Sequence, residues 1–284
     1  MTLEVAIPDT TLRHCSDLRE KTVTTGFLGR AFAVFRAERI VIFRTGLLGN
    51  EESKDKDLLA RLLRYMDTPQ YLRKRVFPRA PSFRFVGLLP PLRTPSHPLF
   101  SSIDEVERGD LRWGLQIGPG KVDLGLDRTV DYDGTVSERE PTLFRVVETS
   151  PRMKLEVTDR MKVPVYWGFE TVMVDDFDDY LRTNNGATTI ALSREAPPFG
   201  KMQGAIESTV KGTQSLLALF GGPKLGLHEL FSQASEPKDY IDFWVNTIPD
   251  QGTETVRLEE AIYSSLALLN YSVGSLVTKK GFYS

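Results

Sequence analysis

Three short stretches carry the residue types that a small-molecule site needs. "LSREAP" (192–197), "FGGPKLGL" (220–227) and "NTIPDQGTET" (246–255) each follow an apolar run and mix glycine, proline and small polar residues. Gly221, Gly222 and Gly252 let a ligand approach the backbone closely, and Pro223 and Pro249 stiffen their loops at little entropic cost. Rigid loops of free N–H and C=O groups suit a nucleoside. The last stretch also leads into a helix, where Thr253 or Thr255 can serve as N-cap and the first-turn N–H groups favour a carboxylate or phosphate. Taken singly, each loop reads first as a capped strand-to-helix turn. Three of them on one edge of a parallel sheet, where such sheets bind their ligands, read as a cleft.

Other chemistries are excluded. "GPGK" (118–121) continues into valine and "GGPK" (221–224) into leucine, so there is no phosphate-binding P-loop, and no G-x-G-x-x-G follows the first strand. His14, His97 and His228 have no metal-ligand spacing with the single cysteine, Cys15. No metal is expected. His14 and Cys15 are a nominal base and nucleophile, but side chains adjacent in sequence usually point apart. "DDFDD" (175–179) reads as a solvated helix start rather than a metal or catalytic carboxylate cluster.

The elements that must position these loops follow from the apolar pattern. "LEVAIP" and "RIVIFR" (39–44) read as buried strands on either side of a helix over 17–36. A polar loop with Gly46, Gly49 and Asn50 leads to "DKDLLARLLRYM", whose leucines and Met66 recur at helical spacing with Arg61 and Arg64 on the other face. "GLLPPLRTPSHP" breaks regular structure. From Arg112 to about Met173, short alternating runs, ending with "VPVYWGFETVMV", predict a small antiparallel barrel. The α/β rhythm then returns with "GATTIALS", "SLLALFGG", "DFWVNTIP" and a final helix. An α/β parallel sheet with helices on both faces, interrupted by a β module, is the expected architecture.

The 284 residues carry a net charge of -2 that hides a local asymmetry. Arg61, Arg64, Arg73, Lys74, Arg75, Arg79, Arg84 and Arg93 face only Asp67 over 61–93, interleaved with Tyr65, Tyr71, Phe77, Phe83 and Phe85. Such a strip fits phosphate contact and base stacking, or a solvated helix face. Arg64, Arg73, Lys74, Arg75 and Arg79 are its candidate RNA contacts. No apolar run approaches the roughly 18 residues that span a bilayer. The N-terminus lacks the pattern of a secretion signal, so a cytoplasmic protein is expected.

"KTVTTGFLGRAFAVFRAERIVIF" (21–43), "YMDTPQYLRKRVFP" (65–78), "FRFVGLLPPLRTPSHP" (83–98), "VYWGFE" (165–170), "FGGPKLGL" (220–227) and "NTIPDQGTETVRLEEAI" (246–262) resemble, in order and over nearly the whole chain, an archaeal and eukaryotic family of RNA methyltransferases in the SPOUT superfamily. The resemblance implies an α/β domain over 1–91 and 174–284 with a deep trefoil knot, an OB-like barrel inserted at 92–173, a homodimer, and S-adenosylmethionine bound in the knot. Leu192, Ser193, Arg194, Phe220, Gly221, Gly222, Pro223, Asn246, Thr247, Ile248, Pro249, Gly252, Thr253 and Thr255 would form the cofactor loops. The final helix, apolar nearly all round, accords with burial inside the chain or against a second copy. Arg30 matches the place where related enzymes keep an arginine that orients or deprotonates the target; a structural ion pair is the alternative. Glu254 would face the cofactor's amine or sulfonium, or complement the helix N-terminus. The insert is acidic, with Trp113, Tyr132 and Trp167 spread along it, which favours positioning RNA or binding a protein over strong nonspecific binding. The expected activity is methyl transfer to a structured RNA such as rRNA or tRNA. A noncatalytic dimeric RNA-binding or assembly protein that keeps the knot as scaffold is the alternative.

Overall fold

The computed structural model describes residues 1–48, 53–184, 186–223, 225–231, 237–274 and 277–281. Gly49, Asn50 and Lys224, named above as loop residues, lie outside them. The elements in chain order are β1 (Thr2–Pro8), α1 (Leu18–Val34), β2 (Arg39–Phe43), α2 (Ser53–Asp67), α3 (Gln70–Val76), β3 (Leu111–Gly118), β4 (Lys121–Asp123), β5 (Val130–Asp131), β6 (Thr142–Glu148), β7 (Lys154–Val157), β8 (Glu170–Val174), α4 (Phe177–Thr183), β9 (Ala187–Leu192), α5 (Phe199–Lys211), β10 (Ser215–Phe220), α6 (Leu227–Phe231), β11 (Phe243–Val245) and α7 (Leu258–Ser272). They fall into two compact units. One comprises Met1–Arg64, Arg84–Pro91 and Phe169–Thr278; the other comprises Tyr65–Phe83, Leu92–Gly168 and the segment that begins at Lys279.

The first unit is built on a six-stranded sheet of order β11-β9-β10-β1-β2-β8, parallel at every pairing. Its inner strands are apolar without alternation because both faces are covered: every residue of β9 is buried, as are six of the seven in β1. On one face Phe177 of α4 stacks on Phe43 of β2 with centroids 4.3 Å apart, and Leu227 and Phe231 of α6 join the same cluster. Asp17 starts α1 by accepting the Glu20 N–H at 2.8 Å. In α2 the leucines and Met66 point inward while Arg61 and Arg64 are exposed, as their spacing predicts.

One strand changes sheets relative to expectation. Glu170–Val174, read as the end of the antiparallel module, pairs in parallel with β2 at the edge of the six-stranded sheet. An edge strand buries one face only, so its alternation mimics that of an antiparallel strand.

The second unit holds an antiparallel sheet of order β5-β4-β3-β6-β7. Its edge strands β5 and β7 do not pair with each other among the described residues, so the sheet is open where a closed barrel was expected. Val122, Leu124, Val130 and Phe144 form its core. Arg112, 1% exposed, donates to the carbonyls of Leu124 (2.9 Å) and Phe100 (2.6 Å) and lies over the Phe100 ring.

Candidate functional site

The carboxyl ends of β9, β10 and β11 surround one cavity of ≈ 250 Å³, close to the lower end of the range for small-molecule sites. Strand pairing delivers the first two loops side by side. The third arrives because β11 pairs with β9, which brings Asn246 against the loop after β9. There the Ser193 N–H donates to the Val245 carbonyl (3.0 Å), the Asn246 N–H to Pro197 (2.8 Å) and the Phe199 N–H to Asn246 (2.8 Å). The Asn246 side chain completes the lacing, donating from Nδ2 to the Arg194 carbonyl at 2.8 Å and accepting the Ile248 N–H at 2.9 Å.

The β10 loop folds on itself. The Gly222 N–H donates to the Leu225 carbonyl at 2.9 Å, and Gly221 sits so close to Gly226 that an added Cβ would lie 3.0 Å from its Cα. Leu258, Ala261 and Ser265 of α7, at a spacing that shares one helical face, form the opposite wall. The helix begins later than expected. Its N-cap is Arg257, whose N–H donates to the Glu260 carboxylate at 2.9 Å, whereas the Thr253 hydroxyl donates to the Thr255 carbonyl. Thr253 and Thr255 therefore shape the loop and do not cap the helix.

Of the residues assigned to the loops, Leu192, Ser193, Arg194, Phe220, Gly221, Gly222, Pro223, Asn246, Thr247, Ile248 and Thr255 line the cavity. Pro249, Gly252 and Thr253 belong to the same loop but are not among the lining residues. Nor is Glu254, whose carbonyl accepts from Arg194 Nη1 (3.3 Å) and Gln251 Nε2 (3.1 Å). Glu195, Gly226, Leu227 and Gln251, which lie within the three stretches but were not singled out, also line it, as do Glu229, Val256, Leu258, Ala261 and Ser265 outside them. Nothing in the sequence marked Glu229, and a final helix apolar nearly all round does not show which of its faces meets the cavity.

Arg30 is on α1 and is not among the lining residues; its Nη1 donates to the Pro91 carbonyl at 3.2 Å. His14 and Cys15 do touch, Sγ to Nε2 at 3.6 Å, contrary to expectation. Burial pushes the Cys15 thiol up, the opposite of what an activated nucleophile needs. Among the described residues no His, Cys, Asp and Glu cluster could hold a metal, and no helix is long and apolar enough to cross a membrane.

The basic strip is uneven. Lys74 and Arg79 are exposed, Arg75 pairs with Asp123 at 2.9 Å, and Arg64 donates to the Thr171 carbonyl at 3.2 Å. Arg73 is engaged internally: Nε donates to Thr68 (2.8 Å), Nη2 to Met66 (3.1 Å), and the guanidinium lies over Tyr65. Tyr65, Phe77 and Phe83 pack on one another at 5.3 to 5.5 Å and are each half-buried.

A parallel α/β sheet with a small-molecule cavity at its carboxyl edge is the architecture of ligand-binding α/β enzymes. The family described as "Putative RNA methyltransferase" matches residues 2–269, and the chain belongs to it. An uncharacterized protein of Halobacterium salinarum is 31% identical over 293 residues, which cover 95% of this chain and 99% of the relative. The human 28S rRNA (uridine-N(3))-methyltransferase is 28% identical over 321 residues, covering 94% of this chain and 77% of the relative; the Drosophila melanogaster protein of the same name is 26% identical over 302 residues, covering 94% and 61%. The protein is thus an RNA methyltransferase, and its reaction requires a methyl donor.

Proposed function

We propose that the protein transfers the methyl group of S-adenosylmethionine to N3 of a uridine in large-subunit ribosomal RNA. The observation that carries the donor site is the convergence of three loops, distant in sequence, on one cavity at the sheet's carboxyl edge. The target follows the printed activity of the human, mouse and fly relatives. In the reaction the uridine N3 electron pair forms the new N–CH3 bond. The S–CH3 bond breaks with its electron pair staying on sulfur, giving S-adenosylhomocysteine, and the N3 proton passes to solvent water. The donor already carries its leaving group, so orientation of the two reactants is the protein's main contribution.

The loops would hold the donor through their backbone groups and through Arg194 and Asn246. We read the segment from Asn246 to α7 as threaded through the loops after β9 and β10, the trefoil knot of the superfamily. The strand order, with β11 outside β9, supports this. A homodimer would cover the apolar face of the first unit, where Phe27 and Val34 of α1 are 53% and 48% exposed and Leu268 and Tyr271 of α7 are 37% and 84% exposed. Arg30 falls between Phe27 and Val34 on the same helical face, so it would serve the substrate of the neighbouring copy. Lys74 and Arg79 are the strip's best-placed RNA contacts, and the open antiparallel sheet is read as the OB-like module that positions the RNA. An rRNA substrate places the enzyme inside the cell.

The test is incubation of the protein with labelled S-adenosylmethionine and rRNA from cells that lack the enzyme, followed by mapping of the label. Label at uridine N3 in large-subunit rRNA is the expected result; label confined to other RNA or to another atom would refute the target. No calorimetric binding of S-adenosylmethionine at millimolar concentration would refute the donor.

A further inference from the structure

The cavity lining mixes buried apolar residues with exposed charged ones. Leu192, Phe220, Leu227 and Leu258 make a buried apolar part, 9%, 1%, 0% and 6% exposed. Arg194, Glu195 and Glu229 are exposed and charged. Ser265, 1% exposed, is a buried polar residue of the lining, and its hydroxyl lies 2.7 Å from that of half-buried Thr247. Ser265 interrupts the buried face that α7 otherwise makes from Leu258, Ile262, Leu266 and Leu269.

Each hydroxyl has one proton and two lone pairs. Their mutual bond uses one proton and one lone pair, which leaves one O–H to donate and lone pairs to accept. Buried capacity of this kind is unfavourable unless a partner fills it. The pair therefore offers a donor and an acceptor side by side in a lining that also holds Leu192, Phe220, Leu227 and Leu258. Adenine has the matching edge: an exocyclic amine that donates, next to a ring nitrogen that accepts. The sulfonium and the zwitterionic amino-acid tail would lose far more hydration there than the heterocycle does.

We propose that the Thr247–Ser265 hydroxyl pair recognises the amine-bearing edge of the methyl donor's adenine ring, with the charged tail directed to Arg194, Glu195 and Glu229. This rests on the donor assignment above. It makes Thr247 and Ser265 specificity-determining residues, acting on the cofactor and not on the RNA.

The test is a calorimetric cycle with two ligands, S-adenosylhomocysteine and its analogue lacking the exocyclic amine, on the full chain. The wild type is expected to bind the analogue about tenfold more weakly, the size of one buried hydrogen bond. Ser265→Ala and Thr247→Val are each expected to weaken S-adenosylhomocysteine by about the same factor, and the one of them that removes the amine's partner is expected to bind the two ligands alike. Thr247→Ser keeps a hydroxyl and is expected to keep the discrimination. Glu229→Gln is expected to weaken both ligands equally, because both carry the tail. Should Ser265→Ala and Thr247→Val discriminate as the wild type does, the hydroxyls only pack and the proposal is overturned, while the donor site stands. Should neither ligand bind the wild type, the donor assignment falls and takes the proposal with it.

Discussion

Replacing Gly221 with alanine tests whether the loop after β10 is a wall of the donor site or only a turn. The new Cβ would lie 3.0 Å from Gly226 Cα, 3.0 Å from Leu227 N and 3.1 Å from Gly226 C. Carbon contacts are comfortable near 3.5 to 4.0 Å, so the loop must open by about 0.5 Å. All three obstacles are backbone atoms, and no side-chain rotamer relieves them. The loop is also closed by the Gly222 N–H to Leu225 carbonyl bond, so opening it strains that bond too. Overpacking of this kind costs about 1–3 kcal/mol. If the loop relieves the clash by moving its wall, the donor-competent shape is what becomes less populated, and affinity should fall by about 5- to 150-fold.

Gly252 supplies the control. It belongs to the loop after β11, yet a Cβ there meets nothing within 4 Å and the residue is not among those lining the cavity. Gly252→Ala should leave affinity within about twofold, given that surface substitutions usually act within 0.5 kcal/mol. The assay is titration calorimetry with S-adenosylmethionine, with thermal melts of the free proteins in parallel. Affinity within twofold of wild type for Gly221→Ala, with an unshifted melt, would mean that the loop has room the packing denies it, and the argument from close approach would be wrong.

Asn246→Ala removes two side-chain hydrogen bonds that tie the β9 and β11 loops; a stability loss of about 1–3 kcal/mol is expected, with faster hydrogen exchange at Ile248, and unchanged exchange there would count against the lacing. In the basic strip, Lys74→Ala and Arg79→Ala should each lower the salt slope of RNA binding by about one. Arg73→Ala should instead destabilise the fold by about 2 kcal/mol through its lost carbonyl contacts; a melt identical to wild type would return Arg73 to the RNA contacts. Burial raises the Cys15 thiol and the Tyr71 and Tyr180 phenols above their ordinary values, with the Glu4 charge adding to the effect at Tyr180. The unfolded chain therefore loses these protons first, so stability is full below about pH 8.5–10 and falls as pH rises through that window toward the folded values. Denaturant midpoints from pH 7 to 11 read this out, and a flat profile would refute it.

The features that were legible in the sequence are those in which one physical demand fixes residue type. Inner strands covered on both faces must be apolar throughout, which is why "RIVIF" and "SLLALF" could be placed without help. Strand ends that turn tightly beside a cavity need glycine and proline, and the three loops announced themselves for that reason. Other features depend on which surface a residue meets, which no local pattern encodes. Glu170–Val174 has the same alternation in either sheet. Arg73 looks like any exposed arginine until Met66 and Thr68 present their carbonyls to it, and no local pattern tells that Tyr65, Phe77 and Phe83 pack on one another. The wall formed by α7 was hidden by the helix's own composition, since a helix apolar nearly all round gives no clue to the face that carries Ser265 toward the cavity.

Strand order explains why the site needs so long a stretch of chain. Arg194 and Asn246 meet because β11 skips its predecessor β10 and adds outside β9, and a sheet grown by adding each strand beside the last would have left these loops apart. Closing that longer path adds little entropy cost, because the penalty grows only with the logarithm of loop length. What the detour provides is a cavity walled by backbone from separate segments, the loops after β9 and β11 laced by hydrogen bonds and the loop after β10 closed on itself. A P-loop achieves anion binding within one turn of chain, but it places a lysine and a row of N–H groups where a donor bearing a positive sulfonium would be repelled. Walls of paired backbone around an apolar interior, with Arg194, Glu195 and Glu229 as the charged lining residues, suit a ligand that is flat and neutral at one end and zwitterionic at the other. The mixed sign of those charged groups thus accords with the proposed donor, and a version of the cavity lined by one sign alone would suit a different ligand.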